Sequence, residues 1–534
     1  MRSTTTAVEP DSPHDPSQGA TVNQRDVIAF LGFPAAYGST AGTVERIDTH
    51  CSVVFLVDER AFKLKRALQY DYLNYSTVER RRECCLAEVR LNRRTAPSVY
   101  HRVRAVTCDA NGSLALDGDG PAVEWLIEMS RFDQSDVLDG MAERGALDLA
   151  LMPNLARAVA RLHAIAEWRF DHGGRRGMAW VIDGNADGFH DYGPGVLDPA
   201  ACLRLTTRSH EALSRQADRL MTRRAEGFVR RCHGDLHLRN VCLLEGRPIL
   251  FDCIEFSDQI ACIDVLYDLA FLVMDLLHRG LGQHAHAVCN EYVTATADLD
   301  GLALMPLFLS VRAAVRAKTS ATAARLQSTP TAQAVQRQAA QDYLTLALSL
   351  IDPAPARLVA IGGLSGAGKS VVAKRLAPTI GAAPGALVLR SDVIRKSLLG
   401  VGPADRLGSE GYTEGVTRSV YRELAVRAAT AAAAGHSVIV DAVFADPRDR
   451  VVIADVARTA GVPFTGVWLH APVDTRADRI ARRSGDVSDA TPAVLREQLA
   501  RGIGDLDWTR VDAAGERDAT AQAVEACVGI TATP

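Results

Sequence analysis

Between His233 and Asp252 the chain sets two carboxylates around a carboxamide. It reads His233-Gly234-Asp235, then Asn240, then a hairpin pattern turning at Glu245-Gly246-Arg247-Pro248, then Asp252. Phosphoryl transfer needs a carboxylate near the acceptor hydroxyl and metal-holding groups beside the phosphates of the donor. This spacing supplies all three from one short element. A second stretch, Gly363-Leu364-Ser365-Gly366-Ala367-Gly368-Lys369-Ser370, has the pattern of a phosphate-binding loop. Its glycines let backbone N–H groups wrap phosphates at a helix N-terminus, Lys369 is placed for the β/γ-phosphates, and Ser370 for Mg²⁺.

Each stretch needs a scaffold. Ahead of the first, residues 43–47, 53–58 and 60–65 read as three strands, 77–94 as a helix, and 99–107 and 122–129 as two more strands. Together they predict a small five-stranded sheet with one helix. Lys63 and Lys65 share one face of their strand by the two-residue period, and either suits the phosphates of ATP. Glu88 on the following helix is the natural partner to orient that lysine. Residues 48–52 supply a turn without a glycine-rich composition, so hydroxyls and backbone N–H groups must cover the phosphates there. From Asp148 onward the pattern is mostly helical, at 149–166, 201–224, 258–277, 284–297, 302–325 and 331–351. The hairpin after Asn240 is the only clear β signal in that part.

Residues 352–356, Asp-Pro-Ala-Pro-Ala, read as a linker. Beyond it apolar strands at 358–361, 386–389, 437–440, 464–469 and about 508–512 alternate with helices, the grammar of a parallel α/β sheet. The phosphate-loop pattern follows the first of these strands and opens a helix, the context it requires. Asp441 ends the third strand, where a metal-side or acceptor acid is expected. Arg476, Arg479 and Arg483 fall on one helical face. They suit a lid that neutralises charge during transfer, with 484–490 as its tip.

The totals bound the rest. A chain of 534 residues predicts two to four domains. Its 47% hydrophobic and 23% charged content is globular. A net charge of −4, from 60 basic and 64 acidic residues, argues against nucleic acid or a membrane surface as general partners. The 11 cysteines include no Cys-x-x-Cys pair and read as reduced thiols of a cytoplasmic protein. Residues 1–24 read as a disordered tail, and 261–277 as a buried helix too short and acidic to span a membrane.

The set His233-Gly234-Asp235, Asn240 and Asp252, with Lys63 or Lys65, Glu88, Leu162-His163, Asp264 and Asp268, resembles the aminoglycoside phosphotransferase and choline kinase branch of the kinase-like fold. The wording of "THCSVVFLV", "FKLKR", "LNRRTAP", "FDCIEF" and "YDLAFLVMDL" is similar to a bacterial group of such proteins that carry a P-loop kinase domain behind the first. The resemblance covers nearly all of 25–530. It implies a two-lobed α+β protein-kinase-like domain at 25–351 (lobes about 25–130 and 131–351), followed by an α/β P-loop small-kinase domain at 357–534. It implies Asp235 as the catalytic base, Asn240 and Asp252 as Mg²⁺ ligands, and Lys63 or Lys65 with Glu88 at the phosphates. The base of the nucleotide would lie against 124–130, including Glu128 and Met129. Asp264 and Asp268 would hold the catalytic loop by hydrogen bonds, and His163 and His233 are structural.

In the second domain, Asp392 followed by Arg395 resembles phage polynucleotide kinase, zeta toxins and the chloramphenicol and gluconate kinases. There the Asp activates an acceptor hydroxyl and the Arg helps hold the substrate. No arginine finger or sensor element is visible, which disfavours an oligomeric AAA+ machine. The expected function is Mg²⁺-dependent transfer from ATP or GTP to small hydroxyl-bearing acceptors at two sites. The alternatives are a regulatory nucleotide module gating the other domain, and a polynucleotide 5′-end kinase. Arg312 and Arg316 share a helical face. If that face lines the first acceptor cleft, the acceptor is neutral or anionic, not a polycationic drug.

Overall fold

The computed structural model describes residues 23–39, 42–70, 72–402, 405–482, 488–489 and 491–529. The tail expected at 1–24 lies outside them, apart from Asn23 and Gln24. Those two are ordered: Asn23 caps helix α1 (Gln24–Leu31). Arg483, Ser484–Val487 and Ala490 of the expected lid also lie outside. The chain forms two compact units, one of residues 1–134 with 254–257, the other of 135–253 with 258–534.

In the first unit an antiparallel sheet runs in the order β1-β2-β3-β8-β6-β7, and a two-stranded ribbon joins β4 to β5. The strands are β1 (Glu45–Asp48), β2 (Ser52–Val57), β3 (Arg60–Lys65), β4 (Gln69–Tyr70), β5 (Leu73–Asn74), β6 (Tyr100–Cys108), β7 (Leu114–Leu116) and β8 (Ala122–Ser130). The sheet therefore has six strands, not the expected five. The short β7 follows the turn at Asn111-Gly112 and has too few residues to show a period. Period two sends Val53, Phe55, Phe62 and Leu64 to one face, where they form a core with Val27 and Leu31 of α1. Lys63 and Lys65 therefore project to the other face, toward helix α2 (Val78–Asn92), which Thr77 caps.

The second unit begins with α3 (Leu138–Glu143), α4 (Met152–Ile165), α5 (Gly174–Tyr192), α6 (Pro199–Arg215) and α7 (Ala217–Ala225). Two of these correct the sequence reading. The single helix expected over 201–224 breaks at Gln216, and α5 was not expected because its glycines mask the pattern. One of them, Gly188, is needed where α5 crosses a later helix: a Cβ there would lie 2.2 Å from Lys318 Cδ.

Strand β9 (Val229–Arg231) pairs antiparallel with β12 (Cys262–Asp264), so the expected helix over 258–277 splits into α8 (Asp258–Ala261) and α9 (Val265–His278). The hairpin of β10 (Val241–Leu244) and β11 (Arg247–Leu250) is present, with Val241 opposite Leu250. Its two-residue turn has both Glu245 and Gly246 at positive φ, the backbone that matches strand twist. Helices α10 (Gly282–Thr296), α11 (Met305–Leu326) and α12 (Pro330–Ile351) complete this part. No helix among the described residues is long and apolar enough to cross a membrane.

After residue 357 the sheet is parallel, in the order β14-β15-β13-β16-β17. Its strands are β13 (Leu358–Gly362), β14 (Leu387–Arg390), β15 (Val438–Asp441), β16 (Phe464–His470) and β17 (Thr509–Asp512). Around it lie α13 (Lys369–Leu376), α14 (Ser391–Leu398), α15 (Glu414–Ala433), α16 (Pro447–Ala460), α17 (Val473–Ala481), α18 (Pro492–Arg501) and α19 (Arg517–Val528). The central strands are buried on both faces, which is why they read as unbroken apolar runs. Strand order places β13, and so the loop that follows it, at the middle of the sheet.

Candidate active sites

In the first unit both lysines reach the same carboxylate. Lys63 Nζ lies 2.8 Å from Glu88 Oε1, and Lys65 Nζ lies 2.5 Å from Glu88 Oε2. Lys65 has a second carboxylate, Glu255 Oε1 at 2.5 Å, and Tyr75 Oη at 3.2 Å. Burial opposes charge on Glu88, yet Lys63 and Lys65 outweigh it and bring the carboxyl down to about 2. Lys65 is enclosed at 1% side-chain exposure, whereas Lys63 retains 14%. Period two left the two lysines equivalent. The structure separates them into an internal cation held between two acids and a less deeply buried one. Glu255 was missed as a partner, although it stands three residues beyond Asp252. A fully buried lysine beside a shared carboxylate is the signal for a second acid. Glu128 is engaged by Arg102 Nε at 2.8 Å and Arg60 Nη1 at 3.4 Å. Met129 sits in the β8 ladder opposite Ala61 and Tyr100.

The loop 233–252 belongs to the second unit, where buried side chains hold it. Asp268, one turn into α9, accepts from His233 N at 3.0 Å and Gly234 N at 2.9 Å. His163 Nε2 also donates to it at 3.1 Å, and His163 Nδ1 accepts from Tyr292 Oη at 2.8 Å. Burial works against ionisation of Asp268, but His163, His233 and Arg312 bring it down to about 2. Asp275 takes Leu238 N at 3.0 Å, and His233 Nε2 donates to Phe251 O at 2.9 Å. Asp264 has no part in holding the loop, contrary to expectation. It caps α9 and receives two bonds from Arg223, at 2.7 and 2.9 Å. Cys232 also lies near His163 and Asp268. Both ring nitrogens of His163 are already spent within the protein, so the cluster is a hydrogen-bonded scaffold.

Asp235 is left open, its side chain 37% exposed. Asn240 Nδ2 donates to its backbone and carboxylate oxygens at 2.9 and 3.1 Å, and His237 Nε2 is 3.3 Å from Oδ2. Burial pushes the Asp235 carboxyl up, but His237, His233 and Arg316 together hold it well below the usual range. With Nδ2 engaged, Asn240 keeps Oδ1 for a cation. Asp252 sits at φ 63, a conformation that a non-glycine residue holds only where its surroundings fix it. Hard oxygen donors of this kind suit Mg²⁺.

Arg312 does not meet the condition that its face lines a cleft. It is 4% exposed, donates to Tyr267 O at 3.1 Å and lies over the Tyr267 ring. Its Nη1 also reaches Gly234 O at 3.5 Å, so it braces the loop from behind. Arg316, one turn on, lies over Tyr343 and remains the cation felt by Asp235.

In the parallel-sheet part, Ser370 Oγ donates to Asp441 Oδ2 at 2.5 Å, and Arg390 Nε lies 3.4 Å from the same oxygen. Lys369 Nζ turns back onto Gly363 O at 2.8 Å, with Leu364 O at 3.5 Å. Ser365 N donates to Gln498 Oε1. Gly366 has φ 82, and a Cβ there would lie 2.6 Å from Arg476 O. A cavity of about 1610 Å³ is lined by Gly368, Lys369, Ser370, Asp392, Arg395 and Asp441 among others. The residues expected from separate stretches of the sequence thus meet around one space. Burial first, and then the charge of Asp441, push the Asp392 carboxyl up against the pull of Ser488, Arg390 and Lys369. Arg395 donates to Gly411 O at 2.7 Å and lies over Tyr412.

The lid arginines divide. Arg479 and Arg482 line the cavity. Arg476 instead is 7% exposed and packs on the phosphate loop at Gly366. Two of the three arginines expected on one face therefore have different surroundings, and the third, Arg483, lies outside the described residues.

A two-lobed kinase-like fold with an Asp–Asn–Asp loop, followed by a parallel sheet with a phosphate loop, defines a phosphotransferase with two kinase-like domains. The family models agree: "Phosphotransferase enzyme family" matches residues 93–304 and "AAA domain" matches 358–502. The chain belongs to the same two-domain family as uncharacterised proteins of Mycobacterium tuberculosis and Mycobacterium bovis. It is 30% identical to each over 481 residues, 88% of this chain and 92% of theirs.

Among solved structures, a choline/ethanolamine kinase family protein from Mesorhizobium loti is similar at 15% identity and a TM-score of 0.37. The match covers 61% of this chain and 98% of that one. A gluconokinase from Sinorhizobium meliloti is similar at 23% identity and a TM-score of 0.24, covering 33% and 91%.

Proposed function

We propose that the protein is a Mg²⁺-dependent kinase with two phosphoryl-transfer centres, each passing the γ-phosphoryl group of ATP or GTP to a small hydroxyl-bearing acceptor. The domains are those read from the sequence, 25–351 and 357–534, joined at 352–356. The observation that carries this is the pairing of an exposed, ionised Asp235 with Asn240 in one domain, and of Ser370 with Asp441 beside Asp392 in the other.

At the first centre Asp235 orients the acceptor hydroxyl and takes its proton, while Asn240 and Asp252 hold the metal. In the small lobe Lys63, the less buried of the two, is the phosphate-facing lysine, and Lys65 fixes Glu88 in place. The backbone of 124–130, with Glu128 and Met129, receives the base of the nucleotide. At the second centre the N–H groups of 363–370 and Lys369 bind phosphates, and Ser370 and Asp441 hold the metal. Asp392, whose proton affinity burial has raised, is the acceptor-side base, with Arg395 positioning the acceptor and Arg479 neutralising charge. When bound, Mg²⁺ offsets the charge that develops on the phosphate oxygens; positioning and electrostatics supply the rest. Mixed charge over the whole chain favours small-molecule acceptors over nucleic acid or membrane, and a cytoplasmic setting fits the 11 free cysteines.

The test is ATP consumption against a panel of hydroxylated metabolites by the unmodified protein, Asp235→Ala and Lys369→Ala. Each substitution should abolish turnover of a different acceptor set, by about 100-fold or more. Full activity of both variants with every acceptor found would refute the two-centre reading.

A further inference from the structure

Strand β14 is an edge of the parallel sheet. Its residue Leu387 bonds inward, to Ser437 O at 2.9 Å, so Ala386 and Val388 present their polar groups outward. Among the described residues no further strand lies beyond β14. Ala386 N donates to Ala377 O at 2.8 Å, and two side chains of α10, a helix of the kinase-like domain, take up Ala386 O and Val388 N. His286 Nε2 donates to Ala386 O at 2.9 Å, and Asn290 Oδ1 accepts from Val388 N at 2.8 Å. The two are one helical turn apart, matched to alternate residues of a strand. His286 is 7% exposed, and burial lowers the proton affinity of its imidazole against the pull of the Ala386 carbonyl. An edge strand that would otherwise be open is thus closed by side chains from the other domain.

What β14 carries makes this more than a domain joint. It leads directly into Arg390, 3.4 Å from Asp441, and into Asp392 in the cavity wall. The last turn of α10 carries Tyr292, whose hydroxyl holds His163, which holds Asp268, which holds the backbone of His233 and Gly234. One rigid helix therefore fixes the strand before Asp392 and, a turn later, the loop that bears Asp235.

We infer that α10 is a shared positioning element: His286 and Asn290 set the acceptor-side strand of the P-loop centre, and occupancy of that centre is transmitted through Tyr292 and His163 to the Asp235 loop. The inference rests on the proposed role of the P-loop centre. A two-state coupling of this kind is reciprocal.

The experiment is amide hydrogen exchange on the full chain carrying Asp252→Ala, which confines nucleotide to the P-loop, with Mg²⁺ and a non-hydrolysable ATP analogue. Binding should slow exchange in 282–296 and, remotely, in 233–240, by about fivefold or more. Tyr292→Phe, a mild change, should keep analogue binding and the protection of 282–296 but lose that of 233–240. His286→Gln with Asn290→Ala should lose both while still binding the analogue, though several-fold more weakly. Lys369→Ala in the same background must abolish all of it. If no Lys369-dependent binding is seen, the P-loop reading fails and this inference falls with it. If binding is normal but 233–240 is unprotected, or Tyr292→Phe changes nothing, this inference alone is overturned.

Discussion

The two centres hold their reactive groups in opposite ways. At 363–370 the work is local: glycines at positive φ bend one continuous loop, a helix N-terminus follows it, and Asp441 comes from another strand end. At 233–252 the loop is held from outside. Asp268, Asp275 and Arg312, from α9 and α11, take up its backbone groups, and His163 on α4 and Tyr292 on α10 stand behind Asp268. A phosphate-wrapping loop uses its own N–H groups as the binding surface, although here Gly363, Ser365 and Ala367 already donate within the protein. A loop that presents side chains can spend its N–H groups on anchoring, and so becomes dependent on distant buried residues.

The comparison breaks most clearly at Asp268. Asp268→Ala strands the His233 and Gly234 N–H groups and the His163 proton in the interior. It should cost about 3–5 kcal/mol in urea unfolding, with loss of the first activity. A loss below about 1 kcal/mol would show that the loop holds itself. The second test sharpens the comparison inside the first unit. Lys65→Met leaves Glu255 buried without its ion-pair partner and Glu88 with Lys63 alone, and should cost about 3–5 kcal/mol. Lys63→Met leaves Glu88 paired, should cost about 1 kcal/mol or less, and should act mainly on nucleotide affinity. Equal losses in stability for the two would remove the distinction between internal and phosphate-facing lysine.

A third test is in pH. His436, buried in the second unit, is pushed down to about 4 by burial, against its bond to the Gly385 backbone and with the added effect of His286. The unfolded chain therefore binds a proton that the folded one refuses between pH 6.5 and 4. Stability is full above about 6.5 and falls as pH drops through that window, by about 3 kcal/mol in all. Glu88 has the opposite chemistry and the same sign: its carboxyl at about 2 gives stability present above pH 4.5 and lost as pH falls toward 2. Acid titration followed by domain-specific probes should thus disturb the second unit first. His436→Gln should remove its window and leave that of Glu88 unchanged.

What could be read from the sequence follows the same divide. The P-loop centre was legible almost whole because its motif is contiguous and its strands are buried on both faces. The meeting of Asp235 with Asn240 was legible by spacing. What supports them was only partly so. Asp268 was visible as a loop-holder, but Asp264, four residues before it, was wrongly given the same role when Arg223 had claimed it. The burial of Arg312 was not legible, because a helical period shows which residues share a face and not whether that face is covered. Helix α5 was lost to its glycines, of which Gly188 lies where the helix meets Lys318. Glu255 had no local pattern at all; only the burial of Lys65 calls for it.

That last residue also limits how the protein can be divided. Residues 254–257 belong to the first unit although residues 135–253 of the second come between them and Gln134 in the chain. A fragment ending at Gln134 would inherit Lys65, Tyr75 and Glu88 and leave Glu255 behind, with a buried ammonium short of one counter-charge. Cutting this chain at a single point cannot yield a complete small lobe. Any transplant of that lobe into another scaffold has to bring the tetrapeptide after Cys253 as a second piece.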